Sequence, residues 1–219
     1  MGIEKVRRVA GVAIPSIMIT YGILSVENDA LKELDYSTDY ELHEDNYLLY
    51  HHYDDYMQFS PAAAAFILKL SGVQGKHNLA DMTVLYALSN TVMMSIVLPM
   101  KNSFKRIRPD GSTYNSFPSG HTATAFTAAE FLNQEYGDKS IWISVGGYTM
   151  AGLIGFSRVF NDRHWISDVI CGSGIGILST KAVYWAYPYL RKVFDKKGAV
   201  VVVPTYQKGD FGVCFSYNF

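Results

Sequence analysis

Three short clusters hold the residue types that can grip and break a phosphate ester. The first runs Lys101-Asn-Ser-Phe-Lys-Arg-Ile-Arg108-Pro109, and the second is Pro118-Ser119-Gly120-His121. The third reads Ser157-Arg158, five residues, His164, three residues, Asp168. A phosphate monoester is nearly a dianion, and its transfer spreads charge over the equatorial oxygens, so catalysis is mostly positioning and electrostatic stabilisation. Lys101, Arg108 and Arg158 suit a cationic clamp, the arginines with planar, bidentate donation. Pro118-Ser119-Gly120 predicts a turn into a helix whose free N–H groups bind an anion, with Gly120 letting the backbone come close. His164 and Asp168 are four apart and share one helix face. The carboxylate can then hold one imidazole nitrogen and leave the other free as a nucleophile. His121 remains to protonate the leaving alkoxide as general acid. Each cluster alone has a plainer reading: juxtamembrane charge, a helix start, a structural hydrogen bond. Their conjunction, all on one predicted side, favours the phosphate site.

That side is defined by the apolar segments between which the clusters fall. Residues 9–26, 82–100 and 140–157 carry no charge over eighteen, nineteen and eighteen residues, close to the ~20 that a helix needs to cross a bilayer. Three weaker segments accompany them: 58–74 with Lys69, 120–131 and onward with Glu130 and Glu135 near its end, and 169–190 with Lys181. Gly, Ala and Ser in these suit helices that face other helices, where an inward polar side chain is tolerated. Mean hydropathy is only +0.05, which leaves a soluble all-α domain as the alternative.

Loop charge supports the membrane reading. With the N-terminus inside, the inner segments hold Lys5, Arg7, Arg8, Lys76, Lys139, Arg191, Lys192, Lys196 and Lys197, as the positive-inside rule expects. The first outer loop, residues 27–56, is acidic and Tyr-rich and carries ten of the chain's twenty Asp and Glu. It reads as an amphipathic, headgroup-level stretch; its His43, Glu44, His51, His52, Asp54 and Asp55 are the alternative reading as metal ligands. The outer cationic exceptions, 101–108 and 158–163, are the site clusters themselves. A net charge of −1 gives no basic field for nucleic acid. Cys171 and Cys214 form neither a disulfide framework nor a zinc spacing. Residues 9–26 lack a signal-type cleavage site and read as an anchor helix rather than a cleaved signal. In the tail, Val201 and Val203, then Phe211, Val213, Phe215 and Tyr217, alternate around Lys-Gly-Asp, which predicts a β-hairpin.

KNSFKRIRP, PSGH and SRVFNDRHWISD together resemble the type-2 phosphatidic acid phosphatases, a superfamily shared with bacterial acid phosphatases and vanadium haloperoxidases. The signature positions show no departures. The resemblance implies an all-α bundle of six transmembrane helices over residues 1–190; the basic segment and hairpin at 191–219 lie outside it. It implies catalytic His164, which forms a phosphohistidine, Asp168, which orients it, and His121 as acid. Lys101, Arg108, Ser119, Gly120 and Arg158 are implied as phosphate ligands, with no metal and no cofactor. Lys105, Arg106 and Arg163, outside the signature, are candidates for a second phosphate or the headgroup region. The expected activity is metal-independent removal of phosphate from an envelope lipid, lipid A phosphate or undecaprenyl diphosphate ahead of phosphatidate or phosphatidylglycerophosphate. The expected place is a bacterial inner membrane, multi-pass, with the site facing the periplasm. Alternatives are a vanadate-dependent haloperoxidase and a non-catalytic lipid phosphate carrier.

Overall fold

The computed structural model describes residues 2–43, 53–196, 200–207 and 210–217. The described helices are α1 (Gly2–Glu27), α2 (Asp29–His43), α3 (Tyr53–Met57), α4 (Ser60–Leu70), α5 (Leu79–Phe104), α6 (Gly120–Tyr136), α7 (Ile141–Phe160) and α8 (Ile166–Lys196). The chain forms two compact units, Met1–Val183 and Tyr184–Phe219. In the second, β1 (Val200–Gln207) and β2 (Asp210–Tyr217) pair antiparallel, from Val200 opposite Tyr217 to Gln207 opposite Asp210. The side chains whose alternation suggested this pairing lie outside the described residues.

Among the described residues, three helices are long and apolar enough to cross a bilayer: Val9–Glu27 in α1, Leu79–Phe104 in α5 and Ile166–Lys192 in α8. They mark a membrane protein. Of the three uncharged segments, the first two coincide with α1 and α5. The third became α7, which has 20 residues but is diluted by Gly146, Gly147, Gly152 and Gly155. The segment that read as weak became the 31-residue α8. The segment at 58–74 forms only the 11-residue α4, about 16 Å at 1.5 Å per residue, which does not reach across a ~30 Å hydrocarbon core.

The small residues explain the packing of the first unit. α6 is its inner element, with buried side chains from Thr122 to Tyr136. Ala125 and Ala129 on α6 meet Ala151 and Ile154 on α7 in one apolar cluster. α8 lies against α6 through Gly172 and Gly176. A Cβ at Gly172 would stand 2.5 Å from the Ser119 carbonyl oxygen, and one at Gly176 2.4 Å from that of Ala123. Between them Gly174 faces α1, where a Cβ would stand 2.6 Å from the Pro15 carbonyl oxygen. This is the small-residue packing by which helix backbones approach closely in lipid. A second cluster joins α5, α6 and α8 through Met93, Val97, Ala123, Cys171 and Ile175, with Phe117 from the loop before α6.

Two buried carboxylates on α6 are paired. Glu130 of α6 accepts from Lys181 Nζ at 2.8 Å, from Gln134 Nε2 at 2.6 Å and from the Tyr148 hydroxyl. Glu135 holds His77 Nδ1 at 2.7 Å and its backbone N–H at 3.1 Å.

The acidic outer segment folds in part. Asn28 ends α1 and starts α2, its Oδ1 accepting from the N–H groups of Ala30 and Leu31. α2 exposes Leu34, Tyr36 and Tyr40 but buries Asp35.

Candidate active site

Each signature cluster sits where one element gives way to the next. Lys101 occupies the last turn of α5, which stops at Lys105 in a left-handed conformation with φ 45°. From there Lys101 Nζ donates to the carbonyls of Asn115 at 2.6 Å and Ser116 at 3.4 Å. The Arg108 N–H donates to the Thr113 carbonyl at 3.1 Å, folding the connecting loop back on itself. Ser119 is the N-cap of α6, its Oγ accepting from the Thr122 N–H. The Ser119 hydroxyl is therefore engaged by the helix, as a capping serine should be. Its N–H donates to the Asp168 carbonyl at 3.0 Å, which ties the second cluster to the third. A Cβ at Gly120 would make only ordinary contact with Lys101 Cε at 3.7 Å, so packing within the chain does not demand glycine there.

His164 lies between α7 and α8 and is 2% exposed. Its Nδ1 is 3.6 Å from Asp168 Oδ2 and 3.5 Å from Ser116 Oγ. The first distance is an ion-pair approach slightly long for a hydrogen bond. Asp168 sits in the first turn of α8 and is saturated. Its Oδ2 accepts from the Trp165 N–H at 3.0 Å and from the Ser116 hydroxyl, and its Oδ1 from Arg106 Nη1 at 2.7 Å. Burial holds the His164 imidazole down at about 4, the nearby Lys101 and Arg158 acting the same way and Asp168 opposing them. The ring is neutral at neutral pH, the form in which a nitrogen lone pair can attack.

Arg158, in the last turn of α7, links the two histidines. Its carbonyl accepts the His164 N–H at 3.2 Å. Its guanidinium donates through Nη1 to Asp54 Oδ2 at 2.5 Å and stands 3.9 Å from Asp55 Oδ1. That same Asp55 oxygen is 2.8 Å from His121 Nε2. Arg158 Nε is buried with no hydrogen-bond partner, a donor open to an anion. The structure thus joins Arg158, His164, Asp168 and His121 in one neighbourhood, with Lys101 and Ser119 bonded to the loop and helix that frame it.

Several neighbours were not legible beforehand. Ser116 and Asp35 join the Asp168 network with no motif to mark them. Asp54 and Asp55, read as solvated or as metal ligands, contact Arg158 and His121 instead; Glu44, His51, His52 and the His43 side chain of that reading lie outside the described residues. Two of the three cations offered for a second phosphate are already engaged. Arg106 bonds to Asp35, Ser167 and Asp168, and Arg163 Nη1 donates to Asp110 at 3.0 Å. Lys105 is exposed.

The family profile of the PAP2 superfamily matches residues 79–192, slightly over half the chain and all three clusters. Over 133 residues the chain is 45% identical to a lipid A 1-phosphatase of Porphyromonas gingivalis, a stretch that is 60% of this chain and 30% of that protein. Over 76 residues it is 36% identical to the bacitracin transport permease protein BcrC of Bacillus licheniformis, 35% of this chain and 36% of that protein. It therefore spans about a third of the length of these relatives. Two crystal structures share the fold. Aquifex aeolicus LpxE superposes with a TM-score of 0.53 at 21% identity, over 69% of this chain and 95% of that one. The first transmembrane PAP2-type phosphatidylglycerolphosphate phosphatase of Bacillus subtilis gives 0.55 at 22%, over 84% and 96%.

Proposed function

Since the chain belongs to the PAP2 superfamily, we propose that it is a membrane-embedded lipid phosphate phosphatase acting through a phosphohistidine. The observation that carries this reading is Arg158 flanked by both histidines, one of them buried, neutral and backed by Asp168. In the reaction, His164 Nε2 attacks phosphorus and the P–O ester bond breaks. The departing lipid oxygen takes its proton from His121. Water then attacks phosphorus with His121 as base, the P–N bond breaks, and inorganic phosphate leaves. Arg158, Lys101, Arg108 and the Gly120 N–H hold the equatorial oxygens, while the Ser119 N–H stays on the Asp168 carbonyl. No step calls for a metal.

The substrate class is an envelope lipid phosphate. A lipid A 1-phosphatase among the relatives favours lipid A phosphate, with isoprenyl diphosphate next. Loop charge favours an outer, periplasmic position for the clusters in a bacterial inner membrane, with residues 1–190 as the catalytic domain and the β-hairpin tail as an appendage. The transport name of the second relative favours one rival, a carrier that binds lipid phosphate without cleaving it.

The deciding experiment is phosphate release from a panel of lipid phosphates by the purified protein, with and without EDTA, beside His164→Ala. The expected result is release that EDTA leaves unchanged and that His164→Ala abolishes, with vanadate a competitive inhibitor. Transport that persists in His164→Ala without hydrolysis in either protein would establish the carrier instead.

A further inference from the structure

We propose that Asp35, on α2, is a positioning residue for this chemistry: through Arg106 it fixes the Asp168 carboxylate, and so the tautomer that His164 presents. The inference rests on the phosphatase reading for its kinetic consequence.

Asp35 has a fully buried carboxylate in the middle of an otherwise exposed helix. Its Oδ1 accepts from the Ser167 N–H at 2.9 Å, and its Oδ2 from the Ser167 hydroxyl and from Arg106 Nη2, both at 2.7 Å. The other arm of the guanidinium, Nη1, donates at 2.7 Å to both the Ser167 hydroxyl and Asp168 Oδ1. Arg106 is held on a third side by the Trp165 ring, 5.5 Å from its Cζ. Tyr36, beside Asp35, packs edge-on against that ring at 5.3 Å. The Arg106 carbonyl accepts the Ser116 N–H at 3.0 Å, and the Ser116 hydroxyl donates to Asp168.

The fork geometry assigns a separate task to each arm. Asp35 takes one arm of Arg106, so the other arm can only meet Asp168 Oδ1. With Oδ1 engaged, Oδ2 is the oxygen turned toward His164 Nδ1. Charge supports the same division. Two buried carboxylates share one guanidinium, so Arg106 does not fully neutralise Asp168, which keeps its strength as an acceptor for an Nδ1 proton. His164 is thereby held with its proton on Nδ1 and its lone pair on Nε2, the arrangement an attacking imidazole needs. A lysine at 106 would keep the charge but lose the planar fork.

Two variants test this, Asp35→Asn, which keeps shape and removes charge, and Arg106→Lys. Their kcat and KM are measured with dioctanoyl phosphatidate in detergent micelles. The expected result for each is a kcat lower by about 10- to 100-fold with KM changed much less. The double variant should be no worse than the poorer single, because the two act as one unit. Independently of turnover, 15N-histidine spectra of the detergent-solubilised protein report the His164 tautomer, its signal assigned by its loss in His164→Ala. The wild type should show a single Nδ1–H form, and Asp35→Asn a mixture. Wild-type kcat in Asp35→Asn, or an unmixed tautomer in both variants, would overturn the proposal. If Asp35→Asn does not fold, Arg106→Lys carries both measurements. A wild type that releases no phosphate from any member of the lipid phosphate panel refutes the phosphatase reading, and the spectra still decide what Asp35 does to His164.

Discussion

His164 shows how burial alone prepares a side chain. Desolvation penalises the imidazolium, and the cations Lys101 and Arg158 add to that penalty against the pull of Asp168, leaving the ring neutral down to about pH 4. The same shift links folding to acidity. The unfolded chain binds this proton at the ordinary value of 6.5 and the folded chain only at about 4. The stability that His164 contributes is therefore complete above pH 6.5 and is lost as pH falls toward 4. The slope is on the order of 1 kcal/mol per pH unit. Thermal unfolding in detergent across that window should show the loss, and His164→Gln should flatten it. The signature positions were legible because their spacing is itself the signal, although His164 precedes α8 and meets Asp168 from the connection before that helix, not along one helix face as expected. Asp35, Asp54, Asp55 and Ser116 were not. They reach the site from 132, 104, 66 and 52 residues away along the chain, and a lone Asp in an acidic stretch reads as solvated until the fold buries it.

At the scale of elements, the same small residues that weakened the hydropathy signal are what hold the helices together. α8 was underrated because Gly172, Ser173, Gly174 and Gly176 lower its apolarity, yet those glycines let it lie against α6 and α1. α4 was overrated for the complementary reason: a run of alanines does not say where a helix stops. The interior polar residues follow one rule throughout, that a charge inside the bundle has a partner. Glu130, fully buried on α6, and Lys181, partly buried on α8, are the clearest pair. Glu130→Ala should lower stability by about 3–5 kcal/mol by leaving Lys181 uncompensated, and the apolar double replacement Glu130→Leu/Lys181→Met should recover most of it. Thermal unfolding of the wild type, both single variants and the double in one detergent checks this. A loss in the double variant equal to the sum of the two single losses would mean that the pair is not coupled.

For the molecule as a whole, sidedness is the property on which substrate access depends. Ser112, in the loop between the first two clusters, and Lys139, between α6 and α7, are exposed at opposite termini of α6. In a Cys214→Ser background, Ser112→Cys should react with a membrane-impermeant maleimide applied to intact spheroplasts, and Lys139→Cys only after lysis. The reverse pattern would put the clusters on the inner face and rule out envelope lipids of the outer leaflet. The contacts of α3 bear on what such a lipid meets there. Asp54 already gives Arg158 a counter-ion, and Asp55 gives His121 a hydrogen-bond partner. On the phosphatase reading an arriving headgroup trades places with carboxylates instead of filling a bare cationic hole. Each turnover then begins and ends with an exchange of anions at Arg158, the freed orthophosphate departing as Asp54 returns.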